Sequence, residues 1–323
     1  MSEAKNVHAN VQVLGVEVQD PIVPEDYGRF DIVDLILKNA KPENGDIIFL
    51  SSKVVSILEG RSLELNTVVP SKRSKVLAKR FKIDPHMVEL VKSEGSIRMM
   101  IPSAKFIDYE IGKYTLAQMK PGVSHERVLK KLIKNFNHVM MVPKYGYMAD
   151  SAGIDDSNLP AGWVTRLPED AEKSAETIRK QIMLRAGLDS LGIVITDTLG
   201  FKSGTLGHWD TPISYSGFQA LERNLGCDDI FGIPIMGSRA NYLLPLTSMA
   251  GMVMGSTAEM TPIAIIRGFN YEEPLEEQGD KGQTVAAISI PQKAMLPVIL
   301  RSLVSTVGYY IFCLRLAFIK DDK

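Results

Sequence analysis

The stretch that decides the fold is Gly192-Ile193-Val194-Ile195-Thr196-Asp197-Thr198-Leu199-Gly200. An apolar, β-branched run that ends in small polar residues and glycine is typical of a buried strand. Asp197 and two threonines would then stand at the carboxyl end of this strand, where α/β sheets tend to bind ligands. The alternative is that Asp197 only caps a turn. Taken alone, the stretch leaves both interpretations open.

The rest of the chain alternates between strand and helix patterns. Further strands are predicted at residues 11–18, 47–50, 139–142 and 262–268. Helices are predicted at residues 27–39, 71–81, 85–93, 125–136, 167–185 and 245–254. This alternation predicts an α/β fold.

The totals exclude some classes of protein. The chain has 323 residues, 45% of them hydrophobic, and a formal net charge of −1, so no nucleic-acid partner is expected. Its two cysteines, Cys227 and Cys313, indicate a reducing compartment. Residues 1–10 do not resemble a signal peptide, and we expect a cytoplasmic protein. Residues 302–319 are strongly apolar but contain Arg315, which favours a buried or interface element over a membrane span.

A candidate phosphate site follows the strand at residues 47–50. Ser51-Ser52-Lys53 stand where that strand passes into a helix, and backbone N–H groups together with a lysine favour an anion there. The GxxxxGK[ST] pattern of a Walker A loop is absent. The alternative is that Lys53 is a solvated surface lysine.

A candidate cation site lies at residues 149–158, which include Asp155, Asp156 and Asn158. Oxygen donors at such close spacing suit Mg²⁺ or Mn²⁺. The five histidines show no metal-ligand spacing, so carboxylates would have to hold any metal. The alternative is a turn capped by its own side chains.

Several short segments, in order, resemble the coenzyme F420-0:L-glutamate ligase family, also called F420 gamma-glutamyl ligase. They are Gly45-Asp46-Ile47, Ser52 to Ser56, Glu59-Gly60-Arg61, Ser151 to Asn158, Leu167 to Asp170, Ile195 to Gly200, the Gly226/Asp229/Gly232 pattern, Val253-Met254-Gly255 and Arg267-Gly268. The resemblance covers a domain at about 11–270, with an apparent insertion at about 101–137. Residues 283–323 form a C-terminal appendage that the resemblance does not cover.

The resemblance implies a homodimer with an unusual mixed α/β fold, in which helices flank mixed sheets. It also implies an enzyme that uses GTP and Mg²⁺ or Mn²⁺ to join L-glutamate to a carboxylate of coenzyme F420-0. A carboxylate reacts poorly with an amine at neutral pH, and an acyl phosphate solves that problem. Phosphoryl transfer then requires a metal, a cationic side chain and accurate positioning.

The resemblance also implies roles for individual residues. Asp155, Asp197 and Thr198 would hold the metal, and Lys53, Asp155 and Asp197 would be the catalytic residues. The nucleotide would contact Pro21, Ile22, Val23, Ser51, Ser52, Lys53, Asn158, Gly255 and Ser256. Lys202 and Asp229 are the candidates for substrate contacts.

The chain departs from the family pattern after Gly200. The family continues with RPWRxG, whereas this chain has Phe201-Lys202-Ser203-Gly204-Thr205. Because arginine suits recognition of phosphate and carboxylate, the acceptor could be F420-0 or another acidic compound. Two other interpretations stay open: a nucleotide-binding regulatory protein without turnover, or an interaction protein in which residues 283–323 dock a partner or a membrane surface.

Overall fold

The computed structural model describes residues 10–101, 121–124, 126, 138–198, 210–222, 225–236, 240–272, 274, 281–284, 297, 300–302, 304, 307 and 311. The predicted insertion at about 101–137 and the predicted helix at 125–136 lie almost wholly outside these residues. The chain divides into two units, Met1–Val285 and Ala286–Lys323. Gln283 exchanges two backbone hydrogen bonds of 2.7 Å with Tyr215, so it belongs to the first unit rather than to the appendage predicted from 283.

The first unit contains ten strands and six α-helices among its described residues. In chain order the strands are β1 (Gln12–Val16), β2 (Ile47–Ser51), β3 (Ser62–Glu64), β4 (Met99–Ile101), β5 (Val139–Lys144), β6 (Tyr147–Asp150), β7 (Trp163–Thr165), β8 (Gly192–Asp197), β9 (Thr211–Ser216) and β10 (Ile263–Arg267). The helices are α1 (Ile32–Asn39), α2 (Ser52–Leu58), α3 (Lys72–Phe81), α4 (Pro85–Glu94), α5 (Ala171–Ala186) and α6 (Leu243–Met254).

A five-stranded sheet in the order β1-β10-β2-β8-β9 forms the centre of this unit. The pair β2 and β8 is parallel, whereas the other neighbours are antiparallel. Ile193, Val194 and Ile195 of β8 are fully buried, as their uninterrupted apolar run predicts. The opening stretch is therefore a central strand, and the predicted strand is confirmed.

Two smaller sheets and the helices complete the fold. β3 pairs with β7, and β4, β5 and β6 form a three-stranded sheet. The main core joins apolar residues of α1, α2 and α5 to those of the central sheet. A second cluster joins α3 and α4 to β5. Helices thus flank mixed sheets, which confirms the predicted α/β fold class.

The first predicted helix begins later than its apolar pattern indicated. We predicted residues 27–39, but α1 starts at Ile32. The Asp31 carboxylate accepts a hydrogen bond of 2.7 Å from the Asp34 backbone N–H, and Asp34 caps the Asp31 N–H in return. This reciprocal capping fixes the start of the helix more strongly than the apolar residues before it.

Within the part of the chain described, no helix has both the length and the apolar character to cross a membrane. Most of the apolar segment at 302–319 lies outside that part, so its predicted burial or interface role stays a prediction.

Candidate active site

A cavity of about 590 Å³ lies at the carboxyl ends of β2 and β8. This volume is in the range of small-molecule sites. Its walls come from five separate parts of the sequence, at residues 18–23, 51–57, 153–167, 196–198 with 210, and 254–262. Parallel pairing explains the location, because Ser51 lies opposite Thr196 and both strands therefore end at the same edge of the sheet.

Almost all the residues proposed from the sequence line this one cavity. They are Pro21, Ile22, Val23, Ser51, Ser52, Lys53, Asp155, Asn158, Asp197, Thr198, Gly255 and Ser256. Segments that are distant in sequence are thereby brought together. The individual roles given to these residues stay predictions, but their location in one cavity is a property of the fold.

Asp197 lines the cavity, and its carboxylate accepts hydrogen bonds from neutral donors. The Ser52 hydroxyl donates to its Oδ2 at 2.6 Å, and the Thr198 backbone N–H donates to its Oδ1 at 2.6 Å. Burial raises the pKa of Asp197 to about 6, against the opposing effect of these two hydrogen bonds. The negative charge of Asp155 raises it further. A cation that binds beside such a carboxylate stabilises its charged form.

Lys53 and Asp155 form an ion pair across the cavity wall. Lys53 Nζ lies 2.8 Å from Asp155 Oδ2 and donates to the Ser157 hydroxyl at 2.6 Å. Ser157 in turn donates to Asp155 from its backbone N–H at 2.7 Å and from its hydroxyl at 3.0 Å. Burial would raise the pKa of Asp155, but the Lys53 charge and these hydrogen bonds outweigh it and lower that pKa.

The donor set fits a hard divalent cation that is completed from outside the protein. Among the residues that the structure describes, no three His, Cys, Asp or Glu side chains are grouped as a full ligand set. Asp155 and Asp197 are two of the four carboxylates that line the cavity, beside Asp210 and Glu259. Mg²⁺ commonly takes only one or two protein carboxylates and fills its other positions with water and substrate phosphates. Asp155, Asp197 and Thr198 could therefore hold Mg²⁺ or Mn²⁺ in this way.

The loop after α6 closes another side of the cavity. Asn158 donates from Nδ2 to the Thr257 carbonyl at 2.6 Å, which links the loop at 153–158 to the loop at 255–259. Gly255 has a φ of +71°, and a Cβ there would come within 2.4 Å of the Glu259 side chain. This position therefore requires glycine, and the tight turn keeps the two loops in contact.

Two of the proposed substrate residues are not placed in the cavity. Asp229 does not line it. Its carboxylate instead accepts hydrogen bonds from the backbone N–H groups of Phe231 at 2.8 Å and Ile233 at 2.9 Å, which closes a turn. Lys202 lies outside the described residues. Substrate contacts by either residue remain predictions.

Three further charged residues line the cavity, and sequence reasoning did not assign roles to them. They are Arg166, Asp210 and Glu259. Glu259 had a usable signal, because it belongs to the same polar loop as Gly255 and Ser256. It accepts two hydrogen bonds of 2.7 Å from Thr257. Arg166 directly precedes the motif at Leu167 to Asp170, and the pairing of the end of β7 with β3 and with Asp155 brings it to the cavity wall.

Comparison with known sequences identifies a family and several relatives of this chain. A family described as F420-0:Gamma-glutamyl ligase matches residues 21–268. A coenzyme F420:L-glutamate ligase from Methanopyrus kandleri is 30% identical over 244 residues, which are 75% of this chain and 82% of that relative. One from Methanocaldococcus jannaschii is 30% identical over 230 residues, covering 71% and 77%. One from Archaeoglobus fulgidus is 26% identical over 251 residues, covering 76% and 86%.

The region matched by the family contains all but one of the residues that line the cavity, the exception being Val18, and it spans most of the chain. The chain therefore belongs to the F420-0:gamma-glutamyl ligase family.

Proposed function

We propose that this protein is a ligase that joins L-glutamate to a carboxylate acceptor, with coenzyme F420-0 as the first candidate acceptor. The reaction consumes GTP and passes through an acyl phosphate of the acceptor. The observation that carries the proposal is the pairing of Ser52 with Asp197, next to the ion pair of Lys53 with Asp155, in a single cavity of a family member.

Each of these side chains has a place in such a reaction. Lys53 is a cation at the cavity wall that can offset negative charge on the transferred phosphoryl group. Asp155 orients the Lys53 ammonium group, and Ser157 holds Asp155 in place. The reaction needs no nucleophile from the protein, because the amine of L-glutamate attacks the activated carboxylate and phosphate leaves.

The metal belongs to the same proposal. A bound Mg²⁺ or Mn²⁺ would supply Lewis-acid polarisation of phosphate oxygens. Asp155 and Asp197 would hold it, and the raised pKa of Asp197 supports a cation at this point. The homodimer implied by the family resemblance is also a proposal, and sedimentation of the purified chain at several concentrations tests it.

The direct test incubates the protein with F420-0, L-glutamate, GTP and Mn²⁺ and follows the acceptor by mass spectrometry. We expect a product heavier by one glutamyl residue, with phosphate released in equal amount. Omitting GTP, omitting Mn²⁺ or replacing GTP by ATP checks each dependence separately. GTP binding without phosphate release, across a panel of acidic acceptors with L-glutamate, contradicts the proposed ligase activity.

The acceptor is a separate question, because Phe201 to Thr205 replace the two arginines of the family pattern. Phosphate release with another acidic acceptor, but not with F420-0, would keep the ligase chemistry and change the substrate. The same mass measurement on the panel decides between the two.

A further inference from the structure

A cluster of basic side chains surrounds one buried carboxylate beside the cavity. Glu94, whose side chain is 8% exposed, ends α4 and receives three cations. Arg61 Nη2 lies 3.0 Å from Glu94 Oε1, Lys144 Nζ lies 3.1 Å from Oε2, and Arg166 Nη1 lies 3.5 Å from Oε1. The single negative charge of Glu94 is therefore shared among the three cations of this basic cluster.

The other acidic groups of the basic cluster compensate Arg61 rather than Arg166. Glu169 lies 3.7 Å from Arg61 Nη1, and its side chain is 85% exposed, so solvent weakens its effect. Glu59 also interacts with Arg61, while burial raises the Glu59 pKa. Among the described residues, Arg166 has an ion pair only with Glu94. Arg166 is therefore compensated only through a carboxylate that it shares with Arg61 and Lys144.

Arg166 is also the member of the basic cluster that lines the cavity. Its Nε donates to the Arg61 carbonyl at 3.3 Å, and its Nη1 makes the long contact with Glu94. Its Nη2 makes no hydrogen bond to the described residues. The guanidinium group is thus held through Nε and Nη1 and has donor capacity left at Nη2 for a ligand.

We propose that Arg166 binds a carboxylate of the substrates, either of L-glutamate or of the acceptor, and that Glu94 positions the guanidinium group for this contact. The inference rests on the proposed ligase function. The nucleotide phosphates are assigned to the side of the cavity where Lys53 contacts Asp155 and Ser157. Arg166 is not part of that group of contacts. The planar guanidinium group matches a carboxylate with two parallel hydrogen bonds, which a lysine cannot reproduce.

The test measures KM and kcat for L-glutamate, acceptor and GTP in the wild type and in Arg166→Gln. A lost charge-assisted contact predicts that the KM of one carboxylate substrate rises by roughly 10- to 100-fold. We expect the KM of GTP and kcat to change by less than about threefold, because the contact does not involve the reacting phosphoryl group. Arg166→Lys should recover only part of the loss.

Lys144→Gln is the matched control. It removes one positive charge from the same Glu94 carboxylate, but Lys144 does not line the cavity. Its KM values should stay near those of the wild type. Equal changes in Lys144→Gln and Arg166→Gln, a selective rise in the KM of GTP, or unchanged KM values in Arg166→Gln would each overturn the proposal.

Calorimetric titration separates this inference from the proposed function. If the wild type forms no product, the ligase proposal fails, and L-glutamate and F420-0 are then titrated separately into the nucleotide-free protein. Binding of either compound to the wild type that weakens in Arg166→Gln but not in Lys144→Gln supports the carboxylate site. Absence of binding to the wild type, or equal binding to both variants, contradicts it.

Discussion

The central sheet carries an aspartate at each end, and the two carboxylates have different kinds of partner. Asp46 directly precedes β2 and is fully buried. It accepts hydrogen bonds from Arg267 Nε at 2.9 Å and Nη2 at 2.8 Å, and from the Glu43 backbone N–H at 2.8 Å. Asp197 is the last residue of β8, at the opposite end of the strands, and accepts hydrogen bonds from the neutral donors Ser52 and Thr198.

Asp46 is thus held in an ion pair within the fold, whereas Asp197 accepts hydrogen bonds only from neutral groups. The hydrogen bonds with Asp46 raise the pKa of Arg267 and fix the two side chains against each other. Burial raises the pKa of Asp197 to about 6, because its two neutral hydrogen bonds and the more distant charge of Lys53 do not offset the loss of solvent. Perturbed carboxylates of this kind are concentrated at functional sites. Mutations at the two ends should therefore affect different measured quantities.

The largest effect is expected from Asp197→Asn. The substitution keeps the shape of the side chain but removes the negative charge that would hold a metal. We expect kcat to fall by about 10³-fold, which corresponds to several kcal/mol of transition-state stabilisation. Product formation measured by mass gives the rate, and urea unfolding checks that the protein remains folded. An unchanged rate would falsify the assignment of Asp197 to the metal.

Asp46→Asn should lower the stability of the protein rather than its catalytic rate. It leaves the Arg267 guanidinium without its buried counter-charge, although Glu43 still pairs with it. We expect the free energy of unfolding to fall by about 3 kcal/mol, with kcat per folded molecule unchanged. The matched control is Arg185→Gln, which breaks exposed ion pairs with Asp31 and Asp34 and should lower the stability much less, because solvent screens exposed charges. Equal losses of stability in both variants would contradict the distinction.

The smallest effect is the pH dependence of stability that Asp197 produces. Its pKa rises from 3.8 to about 6 on folding, so the folded state binds the proton more tightly than the unfolded chain. The contribution of Asp197 to stability is therefore full below about pH 4 and is lost as the pH rises through about 6. Asp197→Asn cannot ionise and should be more stable than the wild type above that range.

Urea unfolding of both proteins across this pH range measures the difference. The two stabilities should converge near about pH 4, because both side chains are then neutral. Substitution of the exposed Asp189 by Asn serves as the control and should leave the profile unchanged. A constant difference between the wild type and Asp197→Asn at all pH values would show that burial of this charge is not its cause.

The predictable parts of this molecule are those with local causes. The apolar run of β8 and the glycine at 187 that ends α5 in a left-handed conformation act over a few residues. The short motifs around Lys53, Asp155 and Asp197 were similarly readable, and the cavity contains all three. The late start of α1 was misjudged, because apolar periodicity continued across Asp31, where capping begins the helix.

Other features depend on contacts between distant residues. Arg166 reaches the cavity because the end of β7 pairs with β3 and with Asp155, and its guanidinium group contacts Glu94, 72 residues earlier in the chain. Asp229 fits a short family pattern, yet its carboxylate is used within its own turn. No local signal distinguishes a ligand-facing charge from a turn-capping one, because both consist of the same side chain in a polar segment.

The sequence by itself determined five of the ten described strands, most of the described helices and the short motifs that carry acidic, hydroxyl and cationic groups, since periodicity and turn chemistry are local. Only the tertiary structure decided which of these groups meet. Parallel pairing of β2 with β8 places Ser52 2.6 Å from Asp197, although 145 residues separate them. The same sheet places Arg267 on Asp46 at its other end. Burial and partner charge, which set the pKa of each carboxylate, arise from this packing and not from the residues next to it in the chain.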